Sequence, residues 1–217
     1  MLKPPKLHPG DKVAVVSPSW GGPGAIPHRY QAGKQQLETE FGVTVVEMPH
    51  ALADPAWIAR NPQARAADLM AAFADPSIRA IIASIGGEDS IRTLPYTDLK
   101  VIRANPKIFM GYSDTLITHF ACLKAGVVSF YGPAIMAGFG ENGGLFPYMV
   151  DSVRRTLFSA APTTIRSCPL CMGATPPPAA HTARASEATA LACRVCHPPR
   201  QSARGRSGAQ ESGRSRA

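Results

Sequence analysis

The chain has 217 residues, which is enough for one ordinary domain or two small ones. An apolar fraction of 45% is typical of a soluble globular protein. The net charge of +8 is unevenly placed: eight Arg, no Lys and two acidic residues give residues 160–217 a charge of +6. Residues 1–159 therefore carry only +2, which argues against a nucleic-acid-binding surface on the globular part.

The N-terminus shows no secretory signal. The N-terminal stretch MLKPPKLHPGDK lacks the hydrophobic centre of a secretory signal. No run in the chain approaches the roughly 18 apolar residues that a membrane-spanning helix needs. We therefore expect a cytoplasmic protein with no membrane partner.

Five short runs of apolar residues predict strands that are buried on both faces, at residues 12–17, 43–48, 80–85, 107–110 and 127–131. Helical spacing predicts helices between them, at residues 28–41, 64–74, 88–94, 98–103, 114–126 and 146–158. Strands and helices therefore alternate throughout residues 1–159. This alternation predicts an α/β layered domain with a mostly parallel sheet.

Local signals set several boundaries of these elements. Gly42 is a typical residue for ending the first helix. Asn61 is predicted to cap the next helix, with Pro62 at its first position. Trp57 and Ile58 fall in a predicted long loop, and Cys122 is expected to be a small core side chain on its helix.

Three loops follow predicted strands and should meet at the carboxyl edge of the sheet, where ligand sites form in such folds. They span residues 17–22, 86–90 and 111–114. The last one, Gly111-Tyr112-Ser113-Asp114, is a sharp strand-to-helix turn. Such a turn can hold a serine hydroxyl rigid and exposed, and we interpret Ser113 as a nucleophile. The alternative is a serine that merely caps the following helix.

The residues around this turn favour the first interpretation. The amide of Asp114 directly follows the serine and is a candidate oxyanion donor. Gly86-Gly87 ends a neighbouring strand and could supply a second amide. A proton acceptor is harder to find, because His119 lies on the same helix and is expected to point away from the turn. Three of the remaining histidines show no carboxylate at a telling spacing: His8, His28 and His50. The other two, His181 and His197, lie in the C-terminal segment.

Residues 160–217 have a different composition, with 13 Ala, 8 Arg, 7 Pro and no aromatic residue. Such a segment buries too little apolar surface to fold, so we predict a disordered tail after a domain of residues 1–159. Two cysteine pairs, Cys168/Cys171 and Cys193/Cys196, leave a zinc site as an alternative. The letters CRVCH also match a c-type haem attachment site, but no export signal accompanies them.

Several motifs together resemble the serine LD-carboxypeptidases, which include muramoyl-tetrapeptide carboxypeptidases and microcin C immunity peptidases. The resemblance rests on PGDKVAVVSPS at 9–19, SIGGEDS at 84–90, GYSDTL at 111–116 and YGP at 131–133. It covers roughly residues 4–160. The GGEDS form is closer to the immunity-type branch.

The resemblance implies an α/β domain whose nucleophile is Ser113. It places the oxyanion hole at the amides of Asp114 and Gly87, and substrate recognition at Gly86, Glu88, Asp89 and Ser90. The implied reaction cleaves an amide next to a free carboxylate through an acyl-enzyme. It needs no metal or other cofactor. The expected substrate is a small peptide or a peptide-nucleotide.

The family also has a C-terminal domain with a catalytic glutamate and histidine, and residues 160–217 do not resemble it. We therefore expect an inactive chain with exposed apolar surface and a tendency to form homodimers. The composition of the tail is what an out-of-frame reading of a GC-rich gene would produce. The competing hypothesis is a non-catalytic α/β ligand-binding module with a basic tail.

Overall fold

The computed structural model describes residues 1–162, residue 164 and the backbone of residues 190–191. Its centre is a six-stranded sheet in the order β2-β1-β3-β4-β5-β6, and every neighbouring pair is parallel. The strands are β1 (Lys12–Val16), β2 (Thr44–Glu47), β3 (Ile78–Ala83), β4 (Ile108–Gly111), β5 (Phe130–Tyr131) and β6 (Ala190–Leu191). The predicted α/β architecture with a parallel sheet is confirmed.

Seven α-helices connect or flank these strands in the described part of the chain. They are α1 (Gly22–Ala25), α2 (Pro27–Phe41), α3 (Pro55–Arg60), α4 (Pro62–Ala74), α5 (Leu99–Ala104), α6 (Leu116–Ala125) and α7 (Pro147–Leu157). Two 3-10 segments, Ser90–Tyr96 and Ser113–Thr115, follow β3 and β4. No helix among these residues is long and apolar enough to cross a bilayer.

The sheet separates two apolar layers, because successive side chains of a strand point to opposite faces. Val13 and Val15 face a layer that includes residues of α2 and α7. Ala14 and Val16 face the other layer, which α4, α5 and α6 cover. Cys122 lies in this second layer and is fully buried, as predicted, so burial raises the pKa of its thiol to about 12.

The structure corrects two local predictions. The predicted loop at Trp57 contains helix α3, which begins where the Asp54 carboxylate accepts a hydrogen bond from Trp57 N at 2.9 Å. Asn61 does precede α4, but its side chain donates to Trp57 O and caps nothing. The side-chain cap is therefore Asp54, one helix earlier than the Asn61-Pro62 signal predicted. At the end of α2, Gly42 has the left-handed conformation, as expected.

The order of the strands fixes where a ligand can enter. The chain moves from β1 outward to β2, then returns across β1 to β3, so the direction of winding reverses beside β1. In such sheets ligands bind outside the carboxyl ends of the strands at this reversal. The loops after β1 and β3 border that position, and the loop after β4 lies one strand further along.

The predicted boundary between residues 1–159 and 160–217 stays a prediction. Within the tail, the structure describes residues 160–162, residue 164 and the two-residue strand β6, which pairs with β5. The other tail residues lie outside the described part of the chain, and they include Cys168, Cys171, Cys193, Cys196, His181 and His197.

Candidate active site

Ser113 has an unusual backbone conformation at the end of β4. Its φ angle is +60°, and it is the only described residue other than glycine with a positive φ. Such a conformation costs about 1–3 kcal/mol and persists only where the surroundings impose it. The residue is exposed, and its side chain caps neither the 3-10 segment nor α6. The helix-cap alternative for Ser113 is therefore wrong.

The loop after β3 lies directly against Ser113. A Cβ atom built on Gly86 would be 2.9 Å from Ser113 Cβ and 3.2 Å from Ser113 Oγ. A Cβ atom on Gly87 would be 2.2 Å from Ser19 Oγ, in the loop after β1. Both glycines therefore permit close backbone approach, and the predicted meeting of the three loops is confirmed.

The Asp114 carboxylate connects all three loops. Ser19 Oγ donates to Asp114 Oδ2, and Ser90 N donates to the same oxygen at 2.8 Å. Ser90 Oγ also donates to the backbone oxygen of Asp114 at 2.6 Å. Sequence reasoning considered only the amide of Asp114, because nothing in its local pattern indicates partners 24 and 95 residues away.

A second charged residue, Arg65 on α4, bonds two of these loops, those after β1 and β3. Its side chain is fully buried. Its Nη1 donates to Pro18 O at 3.2 Å, to Ser19 O at 2.9 Å and to Asp89 Oδ1 at 2.7 Å. An arginine is rarely buried without such partners. Helical spacing alone does not distinguish it from a surface arginine.

The residues predicted to recognise substrate differ in how much of their side chain is available. Glu88 is exposed, whereas the Asp89 carboxylate is paired with both Arg65 and Arg92. Ser90 is buried, and its hydroxyl is bonded to the Asp114 carbonyl. Their contacts with substrate stay predictions, and the structure gives Asp89 and Ser90 a role in holding the loop.

His119 lies beneath the Ser113 turn, so the expectation that it would point away from the turn is wrong. Its Nε2 is 3.0 Å from Gly111 O and its Nδ1 is 2.9 Å from Ser129 Oγ. Burial lowers the pKa of His119 to about 4. The ring is neutral at pH 7, and both nitrogens are occupied, so His119 is a core residue that supports the turn.

His50 has a carboxylate partner that sequence spacing did not reveal. Its Nδ1 is 3.0 Å from Asp68 Oδ1, and its ring stacks on Trp57 at 4.6 Å between centroids. It follows β2, which β1 and β3 separate from β4, so it does not serve Ser113. No histidine or glutamate in the described residues hydrogen-bonds Ser113, and these residues contain no cluster of metal-binding side chains.

The family model for the LD-carboxypeptidase N-terminal domain matches residues 13–132, which include β1 from Val13 onward, β2 to β5 and all three loops. The chain belongs to the LD-carboxypeptidase family. A Vibrio cholerae protein named as a carboxypeptidase is 35% identical over 152 residues, which are 70% of this chain and 44% of that protein. The microcin C7 self-immunity protein MccF of Escherichia coli is 44% identical over 78 residues, or 36% of this chain and 22% of MccF.

Solved structures of this LD-carboxypeptidase family share the fold. MccF in complex with aspartyl sulfamoyl adenosine is 29% identical with a TM-score of 0.70, covering 76% of this chain and 51% of that one. An MccF-like protein from Streptococcus pneumoniae in complex with AMP is 32% identical with a TM-score of 0.64, covering 70% and 46%. The chain therefore spans about half the length of the relatives it matches.

Proposed function

We propose that this chain is the nucleophile-bearing half of a serine LD-carboxypeptidase, with Ser113 as the nucleophile. The observation that carries the proposal is the left-handed, exposed Ser113 at the strand-to-helix turn, against Gly86. A hydroxyl held in this way is presented to a substrate without rotation of the backbone. The three surrounding loops are bonded to one another, so the position is rigid.

The amides of Asp114 and Gly87 are proposed as the oxyanion hole. The former directly follows the serine, and the latter belongs to the loop that contacts it. Donors fixed in advance stabilise the negative charge of a tetrahedral intermediate without reorganisation. Gly86 and Glu88 would contact substrate, while Asp89 and Ser90 would hold this loop in place.

The proposed substrate is an amide next to a free carboxylate, in a murein-derived peptide or a peptide-nucleotide. Support for the second class comes from the MccF complex with aspartyl sulfamoyl adenosine and from the AMP complex of an MccF-like protein. Ser113 Oγ would attack the carbonyl, release the amine and form an acyl-enzyme. Water would then hydrolyse this ester.

Hydrolysis also needs a base for the serine proton, and the described residues place none beside Ser113. Loss of the base in a serine triad removes most of the rate and leaves contributions from the oxyanion hole and binding. We therefore propose that this chain hydrolyses amides very slowly.

Residence in the cytoplasm also remains a proposal. So does homodimerisation, which the exposed Leu116, Phe120 and Leu123 along α6 favour.

A fluorophosphonate probe tests the nucleophile without requiring efficient turnover, because its phosphorus is strongly electrophilic. We expect slow labelling of one serine, found at Ser113 by peptide mapping, and no labelling of Ser113→Ala. Ser152→Ala, on helix α7, is the control and should label like the wild type. Labelling of another serine, or of none, would overturn the assignment of Ser113.

The competing function is a ligand-binding module without catalysis. It is favoured by the absence of a base beside Ser113 in the described part of the chain. Calorimetric titration with AMP distinguishes the two proposals when it is combined with labelling. Binding that Ser113→Ala leaves unchanged, in a chain that the probe does not label, would support the module.

A further inference from the structure

The Tyr131 hydroxyl is hydrogen-bonded to the backbone N–H of Ser113. Tyr131 is the last residue of β5 and lies in register with Gly111 of β4. Its Oη accepts a hydrogen bond from Ser113 N at 2.9 Å. Tyr131 belongs to the YGP motif at 131–133, to which the resemblance assigned no role.

This hydrogen bond meets a specific need of the turn. The first N–H groups of a helical segment have no partner within the helix, and Ser113 begins the 3-10 segment that leads into α6. Ser113 also carries the cost of its left-handed conformation. A fixed acceptor above its N–H favours this conformation over the extended alternative.

Tyr131 is itself held in place. Its ring lies 5.6 Å from the ring of His119, which is bonded to Gly111 O. Gly132 N also donates to Gly111 O at 3.0 Å. The segment from Gly111 to Ser113 is therefore fixed between the end of β5 and the buried imidazole of α6.

We propose that Tyr131 is a positioning residue that holds Ser113 in its reactive conformation through the Ser113 N–H. This inference rests on the proposed function of Ser113 as a nucleophile. Tyr131 acts on the backbone of the nucleophile and does not take its proton. The phenol uses an oxygen lone pair for this contact, and its own O–H remains to donate elsewhere.

Tyr131→Phe removes the hydroxyl and keeps the ring that packs against His119. At saturating fluorophosphonate we expect Ser113 to label about tenfold more slowly, as for the loss of one hydrogen bond in the transition state. Tyr30→Phe is the matched control. Tyr30 lies on α2, and its hydroxyl donates to Glu47 at the end of β2, away from the site. It should lose stability but keep the wild-type labelling rate.

The pH profile of labelling separates positioning from proton transfer. If Tyr131 positions Ser113, the profiles of the wild type and Tyr131→Phe are parallel and differ by a constant factor. A pH dependence that disappears in Tyr131→Phe would make Tyr131 the base and overturn the proposal. Equal rates in the two proteins would also overturn it.

Amide hydrogen exchange of Ser113, measured by NMR, tests the same contact without any labelling. We expect its N–H to exchange about tenfold faster in Tyr131→Phe and at the wild-type rate in Tyr30→Phe. Unchanged exchange in Tyr131→Phe would overturn the positioning role. If the wild type is not labelled at all, the nucleophile proposal fails, and the exchange result still decides whether Tyr131 holds the turn.

Discussion

The two sides of the Ser113 turn differ sharply in how completely they are bonded. On one side, Asp114 and Arg65 tie the loops after β1, β3 and β4 into one network. On the other side, Ser113 Oγ is exposed and has no hydrogen-bond partner among the described residues. The described residues thus hold the proposed nucleophile in position, and none of them hydrogen-bonds its hydroxyl as a base would.

This difference follows from where each kind of group must come from. Three loops at one edge of a parallel sheet are already neighbours, so the sheet brings them together. A base for the proposed nucleophile would have to approach Ser113 Oγ from the open side, because the bonded loops occupy the other side. Substitutions at Arg65, His119 and Asp114 measure how firmly the bonded side is held.

Replacing Arg65 by Ala should give the largest loss of stability. The change leaves the carbonyl oxygens of Pro18 and Ser19 without this donor, and the Asp89 carboxylate keeps only Arg92. A buried acceptor that loses its donor costs about 1–3 kcal/mol, so the two carbonyl oxygens give an expected loss of roughly 2–6 kcal/mol. The free energy of unfolding in urea measures this loss. Arg154→Ala, which removes an exposed pair with Glu40, should cost less than about 1 kcal/mol, and equal losses would refute a special role for Arg65.

His119 should make stability depend on pH on the acid side. Burial lowers the pKa of His119 in the folded state to about 4, from its ordinary value of 6.5. The unfolded chain therefore binds the proton first, so stability is full above about pH 6.5 and falls towards pH 4. The shift corresponds to a loss on the order of 3 kcal/mol.

Urea unfolding at several pH values measures this loss. His119→Gln removes the titrating group, so its stability should change less between pH 6.5 and pH 4 than that of the wild type. Half-exposed His50 supplies the control, and His50→Gln should keep most of the wild-type slope. A slope that both variants retain would exclude His119 as its source.

Asp114→Asn should have the smallest effect of the three. The amide oxygen can still accept from Ser19 and Ser90, but these bonds lose the contribution of the charge. Charge-assisted hydrogen bonds exceed neutral ones by about 1 kcal/mol, so we expect a loss of that size. Thermal unfolding of Asp114→Asn and of Asp151→Asn, at an exposed pair with Arg155, provides the comparison. A larger loss in Asp151→Asn would contradict the bonding role of Asp114.

Much of the fold could be predicted from sequence because its determinants are local. Runs such as KVAVV are apolar on both faces, so they indicate strands covered by helices on both sides. Helix α3 was missed although Asp54-Pro55 is a typical helix start, because the helix has only 6 residues and they show no clear helical spacing. The short α1 at Gly22–Ala25 was missed because two glycines and a proline are typical of loops.

The sequence alone determined the alternation of strands and helices and the place of Ser113 on a strand-to-helix turn, since both depend on neighbouring residues. Only the tertiary structure decided what surrounds that serine. Arg65, Asp114, His119 and Tyr131 each act through a partner that is distant along the chain, such as Ser19 for Asp114, 95 residues away. Such pairs leave no local pattern, because the sheet brings them together only after its strands have been placed in order.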